Sequence, residues 1–257
     1  MKKALDLSSA ELETELLHYQ QDLSAKIRRK YHLPKMADIK YIAARKKSIL
    51  SIYGMTLSPW EKSSFDKYGS DHAWKNHYAF IAEIAEKDAV PQMEAAYGCT
   101  IDRHILFAPN YENDTVYSLS VTHFSNSLFK GRNGHLGETE RKVAEIFSVA
   151  FRRQNKRGPE QVSATIFNDQ FLSLFAKGLL TPFASFYVNQ HADAARVCSD
   201  MMQALLKTIL AEIHAACFVT TPGKLFMKYD IQKDELFVLS FLNQDNWPAF
   251  FTSIMAT

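Results

Sequence analysis

The sequence has few of the residues that build loop-rich or disulfide-bonded proteins. Nine glycines and eight prolines in 257 residues disfavour long irregular or fibrous stretches. Its three cysteines, Cys99, Cys198 and Cys217, form an odd set without CxxC spacing, so no disulfide framework is expected and a reducing compartment is favoured. We therefore expect a cytoplasmic protein whose thiols are buried or incidental.

Long apolar runs are missing too. No run approaches the roughly 18–20 residues that a membrane span needs, and the acid-rich segment after Leu7 does not fit the apolar core of a signal peptide. The net charge of +2 neither demands nor excludes an anionic partner. We therefore expect a soluble chain whose membrane role, where it has one, works through a surface or a partner.

Motifs for catalysis and for metal binding are also missing. His72 and His77 are five residues apart, whereas two metal-binding histidines on a helix are four apart. Asp102 and His104 share a face of one predicted strand, but no nucleophile at a turn completes a hydrolase site. No glycine-rich phosphate loop follows a strand. We therefore expect a protein that is not an enzyme and that holds no metal and no cofactor.

Apolar periodicity predicts the same order of elements in both halves of the chain. The first half reads as helix, hairpin, helix, hairpin over residues 8–30, 39–55, 71–98 and 103–123. The second half repeats that order over residues 138–153, 162–177, 193–217 and 224–241. The predicted fold class is therefore α+β, with two tandem αββαββ modules whose helices cover antiparallel sheets.

Four short strings recur in order at separations of 120 to 124 residues, which favours an internal duplication. They are Arg28-Arg29 with Arg152-Arg153, Leu50-Ser51-Ile52-Tyr53 with Leu172-Ser173-Leu174-Phe175, Leu57-Ser58-Pro59 with Leu180-Thr181-Pro182, and Val116-Tyr117-Ser118-Leu119 with Leu236-Phe237-Val238-Leu239. The predicted modules are residues 1–124 and 138–257, joined by a glycine-punctuated linker at 125–137.

The matched Ser58-Pro59 and Thr181-Pro182 lie where a hairpin ends. A hydroxyl at such a turn, with free backbone N–H groups behind it, can hold a small anion. The predicted anion or ligand site comprises Ser58 and Lys62 in the first module, and Thr181 and Ser185 in the second. The alternative is that these hydroxyls only cap and stiffen the turns.

Basic residues form clusters that could dock on an acidic partner or on anionic lipid. The candidate docking residues are Arg28, Arg29, Lys46, Lys47, Arg152, Arg153, Lys156 and Arg157. The alternative is that they are solvated and complete the helix ends. Aromatic residues do not alternate with these cations, so a nucleic acid partner is not expected.

Three segments of the second half resemble a bacterial domain family called MpsC-like. They are Arg157-Gly158-Pro159-Glu160-Gln161-Val162, then Gly178-Leu179-Leu180-Thr181-Pro182, and then Lys228-Tyr229-Asp230-Ile231 with Glu235-Leu236-Phe237-Val238-Leu239. The resemblance covers roughly residues 138–243, and the first half fits only through its similarity to the second. The family is named after a membrane-potential-generating system linked to sodium or bicarbonate uptake. Its members look like accessory proteins, so the resemblance implies no catalytic residues.

These observations lead to two hypotheses from different classes. The first is a non-catalytic accessory or regulatory protein of a membrane ion or bicarbonate transport system, cytoplasmic and peripheral to the inner face of the membrane. Its partners would be proteins of that system, with a homo-oligomer left open. The second is a small-ligand-binding sensor with a pocket between the two repeats. Aromatic residues that could line such a pocket, or belong to the core instead, are Trp60, Trp74, Phe183, Phe186 and Tyr187.

Overall fold

The fold comes from a computed structural model of the whole chain. It describes residues 9–31, 38–45, 47–56, 59, 63, 67, 83–107, 110–112, 115–126, 128, 134–190, 192–218 and 220–256. Residue contacts divide the chain into unit 1, Met1–Arg132 with Thr252–Thr257, and unit 2, Asn133–Phe251. The boundary at 132/133 falls inside the predicted linker. Each unit is α+β with one antiparallel sheet, which confirms the predicted class.

The helices of unit 1 follow the predicted apolar spacing and breakers. Helix α1 (Ser9–Lys30) ends in three cations, which suit the negative end of its dipole. A π-helical turn (Ala85–Ala89) leads into α2 (Val90–Tyr97), with a proline in the first turn, as the predicted restart at Pro91 requires. Gly98 then caps α2 with φ of 64°, and its N–H donates to the Glu94 carbonyl at 2.9 Å. The predicted start of this helix at Asp71 lies outside the described residues.

The sheet of unit 1 has the strand order β1-β2-β5-β3. Its strands are β1 (Asp38–Arg45), β2 (Ser48–Thr56), β3 (Ile101–Leu106) and β5 (Thr115–Phe124), with a short β4 (Asn110–Glu112) pairing to β5. Both predicted hairpins of the first half are confirmed. Strand β4 lies between the two long strands of the second hairpin, where Asn110–Asp114 have the composition of a turn.

Unit 2 has the corresponding strand order β6-β7-β9-β8. Its strands are β6 (Gln161–Phe167), β7 (Phe171–Lys177), β8 (Leu225–Asp230) and β9 (Glu235–Phe241). Its helices are α3 (Gly134–Asn155), α4 (Pro182–Gln190) and α5 (Ala192–Cys217). After a 3-10 turn (Gln244–Asn246), helix α6 (Trp247–Met255) begins in unit 2 and ends in the segment assigned to unit 1. The strands, α3 and α5 match the predicted segments, whereas α4 and α6 were not predicted.

In each unit, helices cover one face of the sheet with apolar side chains. In unit 1 the sheet residues of this core are Ile39, Ile42, Ala44, Ile49 and Phe124, and α1 contributes Leu12, Leu16, Leu23 and Ile27. In unit 2 the sheet residues are Ile166, Leu172, Leu174, Ala176, Leu236 and Val238. Helix α3 contributes Val143, Phe147 and Phe151, and α5 contributes Met202, Leu206, Ile209, Leu210 and Ile213. These two cores fix the positions of the helices on their sheets.

One contact recurs in both units and was not visible in the matched strings. The Glu13 carboxylate of α1 accepts a hydrogen bond from the backbone N–H of Ala44 in edge strand β1, at 2.9 Å. The Glu140 carboxylate of α3 accepts one from Ile166 in edge strand β6, at 2.8 Å. Each helix therefore satisfies a backbone donor at the outer edge of its sheet, where an unpaired N–H would otherwise invite another strand.

The register corrects one of the four matched strings. Ser51 and Tyr53 face the helix of unit 1, because Ser51 hydrogen-bonds Gln20 of α1 and Tyr53 packs against its core. Their string partners Ser173 and Phe175 lie on the opposite face from the helix-covered Leu172 and Leu174, since neighbouring strand residues alternate. That string match at separation 122 is wrong as a structural equivalence, because a one-residue slip exchanges the two faces of a strand.

Candidate docking surface

Helix α5 buries only part of the apolar stripe that its spacing predicts, which runs from Val197 through Met201, Leu205 and Ile209 to Ile213. Ile209 and Ile213 are buried in the core, but Val197 and Met201 are 51% and 68% exposed. Toward the start of the helix, Met202 and Leu206 are the buried residues. Helix α5 therefore carries apolar side chains on two faces, and only one of them belongs to the core.

Helix α4 is the least expected source of exposed apolar side chains. Its Pro182 occupies the first helical position, where a missing N–H is harmless. The Thr181 hydroxyl precedes it and accepts a hydrogen bond from the Ala184 N–H at 3.1 Å. Val188 of α4 turns to the interior and is 4% exposed.

Three aromatic residues of α4 point outward, and we call them the aromatic surface. Phe183, Phe186 and Tyr187 are 76%, 64% and 48% exposed. The rings of Phe183 and Tyr187 stack with their centroids 6.2 Å apart. Burying a side chain of this size contributes roughly 1.5–3 kcal/mol, so leaving three of them in water forgoes much of that stabilisation. A patch of this kind marks an interaction site more often than a scattered single residue does.

Cations from the end of α3 lie beside the start of α4, and we call Arg152, Lys156 and Arg157 the basic rim. The Arg157 guanidinium donates to the Leu180 carbonyl at 2.9 Å and to Glu160 at 2.7 Å. This contact brings the α3 terminus next to the turn that starts α4. The Arg152 side chain folds over Gly158, and Lys156 is exposed. Helix α4 itself carries no charged residue.

Lys156 stands in the left-handed region, with φ of 60°. It follows the last residue of α3, where glycine is the usual occupant because it has no Cβ. A lysine at this position is less stable than a glycine by roughly 1 kcal/mol. Its presence places a cation at the basic rim at some expense of stability.

The other candidate docking cations have contacts of their own. Arg153 of α3 ion-pairs with Glu212 of α5. In unit 1, Arg28 pairs with Asp38 at 3.6 Å, and Lys47 donates to the Ser125 carbonyl at 3.0 Å. Arg29 bonds the Ala25 carbonyl of its own helix, and Lys46 lies outside the described residues. Of the eight predicted docking cations, Arg157 contacts the turn that starts α4, Arg152 lies against Gly158 beside it, and Lys156 precedes Arg157 in the chain.

The predicted anion site is only partly covered by the described residues. Ser58 and Lys62 lie outside them. The Thr181 hydroxyl caps α4, and the Ser185 N–H donates to the Thr181 carbonyl at 2.9 Å. Both groups thus serve the first turn of α4, and anion binding by this set stays a prediction.

Unit 2 contains a histidine in its core. His214 of α5 is fully buried between Ser240 and Thr220, with its Nε2 3.3 Å from the Ser240 hydroxyl and its Nδ1 3.5 Å from the Thr220 hydroxyl. Thr220 donates its own proton to the Leu242 carbonyl at 2.7 Å, so His214 donates through Nδ1 and accepts from Ser240 through Nε2. Burial lowers the pKa of His214 to about 4 and keeps it neutral. Its neighbour Ser240 is also fully buried, so this pair satisfies core hydrogen bonds.

Unit 1 contains comparable pairs on its sheet. His123 Nδ1 lies 2.7 Å from the Ser48 hydroxyl, and His104 Nδ1 lies 2.8 Å from that of Thr122. Burial, and then the nearby Arg103 charge, lower the pKa of His123 to about 4. These pairs join neighbouring strands of the sheet.

Two further properties bear on function. Within the described ranges, no group of three or more His, Cys, Asp or Glu residues is arranged to hold a metal ion. None of the helices in that part of the chain combines the length and the apolar character that crossing a membrane requires.

Comparison with known proteins gives no match, either to a family model, to a curated protein or to a solved structure.

Proposed function

We propose that this protein is a non-catalytic accessory or regulatory protein that docks through unit 2 on an anionic membrane surface. The observation that carries the proposal is the aromatic surface beside the basic rim. The resemblance of residues 138–243 to the MpsC-like family suggests that the protein serves a membrane ion or bicarbonate transport system, and that proteins of that system are further partners. The alternative, a ligand sensor with a pocket between the repeats, stays a prediction.

We also propose that the two units are duplicated αββαββ modules. The matching strand orders β1-β2-β5-β3 and β6-β7-β9-β8 support this, as do the matching hydrogen bonds of Glu13 and Glu140. Helix α4 is then an addition to the module, between the first hairpin and the long helix. On this account the proposed docking function belongs to the second copy.

The chemistry of the surface favours lipid over an apolar protein partner. Phenylalanine and tyrosine enter the boundary between headgroups and acyl chains, while nearby lysine and arginine meet anionic headgroups. Phe183 and Phe186 are the rings that would enter this boundary, and Arg152 and Lys156 are the cations that would meet the headgroups. Each cation near such a surface contributes about 1 kcal/mol. A partner protein with a purely apolar groove would offer no anionic group to the cations of the basic rim.

Vesicle co-sedimentation tests this proposal. We expect the full-length protein to bind phosphatidylglycerol vesicles more tightly than phosphatidylcholine vesicles, and to lose binding as salt rises. Phe183→Ser with Phe186→Ser should weaken binding at least about tenfold, because two inserted rings are lost. Val149→Ser is the matched control, since Val149 is 58% exposed on α3 but lies outside the aromatic surface.

The basic rim has its own matched pair of variants. Arg152→Glu should weaken binding to phosphatidylglycerol roughly fivefold or more, whereas Arg141→Glu, three turns earlier on the same helix and about 16 Å away, should have a smaller effect. Val197→Ser and Met201→Ser should also have smaller effects, because Asp193 and Asp200 lie beside them on α5. The proposal fails when binding to the two vesicle types is equal or absent. It also fails when the serine variants abolish self-association instead, because the surface would then be covered by a second copy.

A further inference from the structure

Unit 2 contains a cavity far from the aromatic surface, at the opposite end of α5. Its volume is about 250 Å³. It lies where the β6–β7 turn, the end of β9 and the segment after α5 come together. Backbone and side-chain bonds fix this junction, since the Leu242 N–H donates to the Gln170 carbonyl at 2.7 Å and the Thr220 hydroxyl donates to the Leu242 carbonyl at 2.7 Å.

The lining of the cavity divides into an aromatic part and a polar part. Its apolar residues are Phe218, Phe241, Leu242 and Phe250, and its polar residues are Asp169, Gln170, Thr220, Asn243 and Asn246. The rings of Phe241 and Phe250 lie 5.4 Å apart, centroid to centroid. Among these described lining residues, Asp169 alone is charged. The cavity therefore combines aromatic faces with one carboxylate and several hydrogen-bonding groups.

Asp169 occupies a position where glycine would be easier to accommodate. It is the second central residue of the β-turn Phe167–Gln170, which closes because the Gln170 N–H donates to the Phe167 carbonyl at 2.9 Å. Both central residues have positive φ, 47° for Asn168 and 54° for Asp169. Such a turn prefers Asn-Gly, because glycine reaches this region at no steric cost whereas aspartate only tolerates it. An aspartate here keeps a carboxylate at the cavity in place of the less strained glycine.

A second strained aspartate of unit 2 provides the contrast. Asp234, with φ of 49°, accepts hydrogen bonds from the Leu180 N–H at 2.8 Å and from the Tyr229 hydroxyl at 2.9 Å. Those bonds explain its position by the fold alone. For the Asp169 carboxylate, no comparable donor is found within the part of the chain that the structure describes, and the side chain is exposed at the cavity rim.

We propose that this cavity binds a small organic cation, an ammonium group on a short apolar body. Aromatic faces attract ammonium groups through the ring quadrupole, and Asp169 supplies the opposite charge. The amides of Asn243 and Asn246 can accept hydrogen bonds from a hydroxyl or amine substituent. The volume corresponds to roughly eight water molecules at about 30 Å³ each, which suits a ligand of choline size. The proposal does not depend on membrane docking.

Choline and its neutral isostere 3,3-dimethylbutan-1-ol test the class of ligand. We would titrate each into the isotopically labelled full-length protein at constant chloride, and follow the backbone amides of Thr220 and Asn243 by NMR. Choline should give saturable shifts confined to the cavity lining. The neutral isostere should bind at least about fivefold more weakly, since it lacks the charge that the rings and Asp169 attract. Equal affinity for both compounds, or no saturable shift with choline, overturns the proposal.

The variant Asp169→Gly distinguishes a role of Asp169 in choline binding from a role in the stability of the fold. Because glycine suits this turn, the variant should melt at the same temperature or higher, while its affinity for choline falls about fivefold or more. Asp200→Asn is the control, since it removes an exposed carboxylate from the far end of α5, and it should leave the affinity unchanged. Unaltered choline affinity in Asp169→Gly contradicts the role of this carboxylate. A loss of melting temperature in that variant would show that Asp169 serves the fold and would equally count against the proposal.

Discussion

The two units place different kinds of side chain between their first helix and their sheet, polar in unit 1 and apolar in unit 2. In unit 1 the middle of α1 carries Gln20, which is 4% exposed and accepts a hydrogen bond from the Ser51 hydroxyl at 3.1 Å. Aligning the units on their shared glutamate contacts, Glu13 with Glu140, brings Phe147 of α3 to the place of Gln20. Phe147 is fully buried and stacks on Phe151. The same helix–sheet arrangement therefore accommodates either a polar or an apolar side chain at the centre of the helix, provided that the polar side chain is hydrogen-bonded.

A second difference concerns strained backbone. The described part of unit 2 has four non-glycine residues with positive φ, Lys156, Asn168, Asp169 and Asp234, and none occurs in the described part of unit 1. Asp234 is explained by the hydrogen bonds that it accepts, whereas Lys156 and Asp169 have no such explanation. Strain that the fold does not require tends to occur at functional sites. Unit 2 is therefore where we look for function.

The largest expected effect is on the two cores. Phe147→Ala should lower the free energy of unfolding by about 3–5 kcal/mol, because it opens a cavity in an apolar core. Gln20→Ala should cost about 1–3 kcal/mol, through the lost hydrogen bond and the buried Ser51 hydroxyl left behind. Native-state hydrogen exchange assigns each loss to its own unit. Equal losses, or a larger one for Gln20→Ala, would contradict the contrast between the cores.

The next effect is a pH dependence that arises from His214. The folded state keeps His214 neutral with a pKa of about 4, below the ordinary value of 6.5, so the unfolded chain takes up a proton first as pH falls. Its contribution is fully present above pH 6.5 and is lost as pH falls toward 4, by at most about 3 kcal/mol.

His214→Gln should flatten this part of the curve of unfolding free energy against pH. His123→Gln in unit 1 should flatten it to a similar extent, because the pKa of His123 is also lowered to about 4. The measurement is denaturant unfolding of both variants and the wild type between pH 4 and 7. A His214→Gln curve parallel to that of the wild type would show that His214 is not held neutral by burial.

A smaller and matched effect is expected at the sheet edges. Glu13→Ala and Glu140→Ala each remove one charge-assisted hydrogen bond to an edge-strand N–H, so each should cost about 1–2 kcal/mol. The exchange rates of the Ala44 and Ile166 amides should rise in the respective variants. A loss in one unit without the other would argue against equivalent roles and would weaken the proposed duplication.

The sequence predicted the elements with strong local signals. The hairpin 162–177, and the end of the helix 71–98 at Gly98, depend on neighbours within a few residues. Matching strings located the repeat but misaligned β2 with β7, because letter similarity does not reveal which face a strand residue occupies. The shared glutamate contacts give the alignment instead, and they are tertiary.

The candidate surface was harder to predict than the fold. Phe183, Phe186 and Tyr187 were named as residues that could line a pocket between the repeats or belong to the core, and their exposure depends on which face of the unpredicted α4 meets the protein. Val197 and Met201 have the spacing of a buried stripe, but toward the start of α5 the core takes up Met202 and Leu206 instead. A helix with two apolar faces carries this ambiguity in its sequence. The one sequence feature that indicated this surface is that residues 182–190 include no charged residue.

The smallest change provides the most direct test of docking by unit 2. Lys156→Gly removes one cation from the basic rim and replaces a strained residue by the one that its backbone prefers, so it should raise the unfolding free energy by up to about 1 kcal/mol. Binding to phosphatidylglycerol vesicles should fall roughly fivefold in the same variant. Higher stability together with weaker binding is the result that our account predicts. Higher stability with unchanged binding would contradict it.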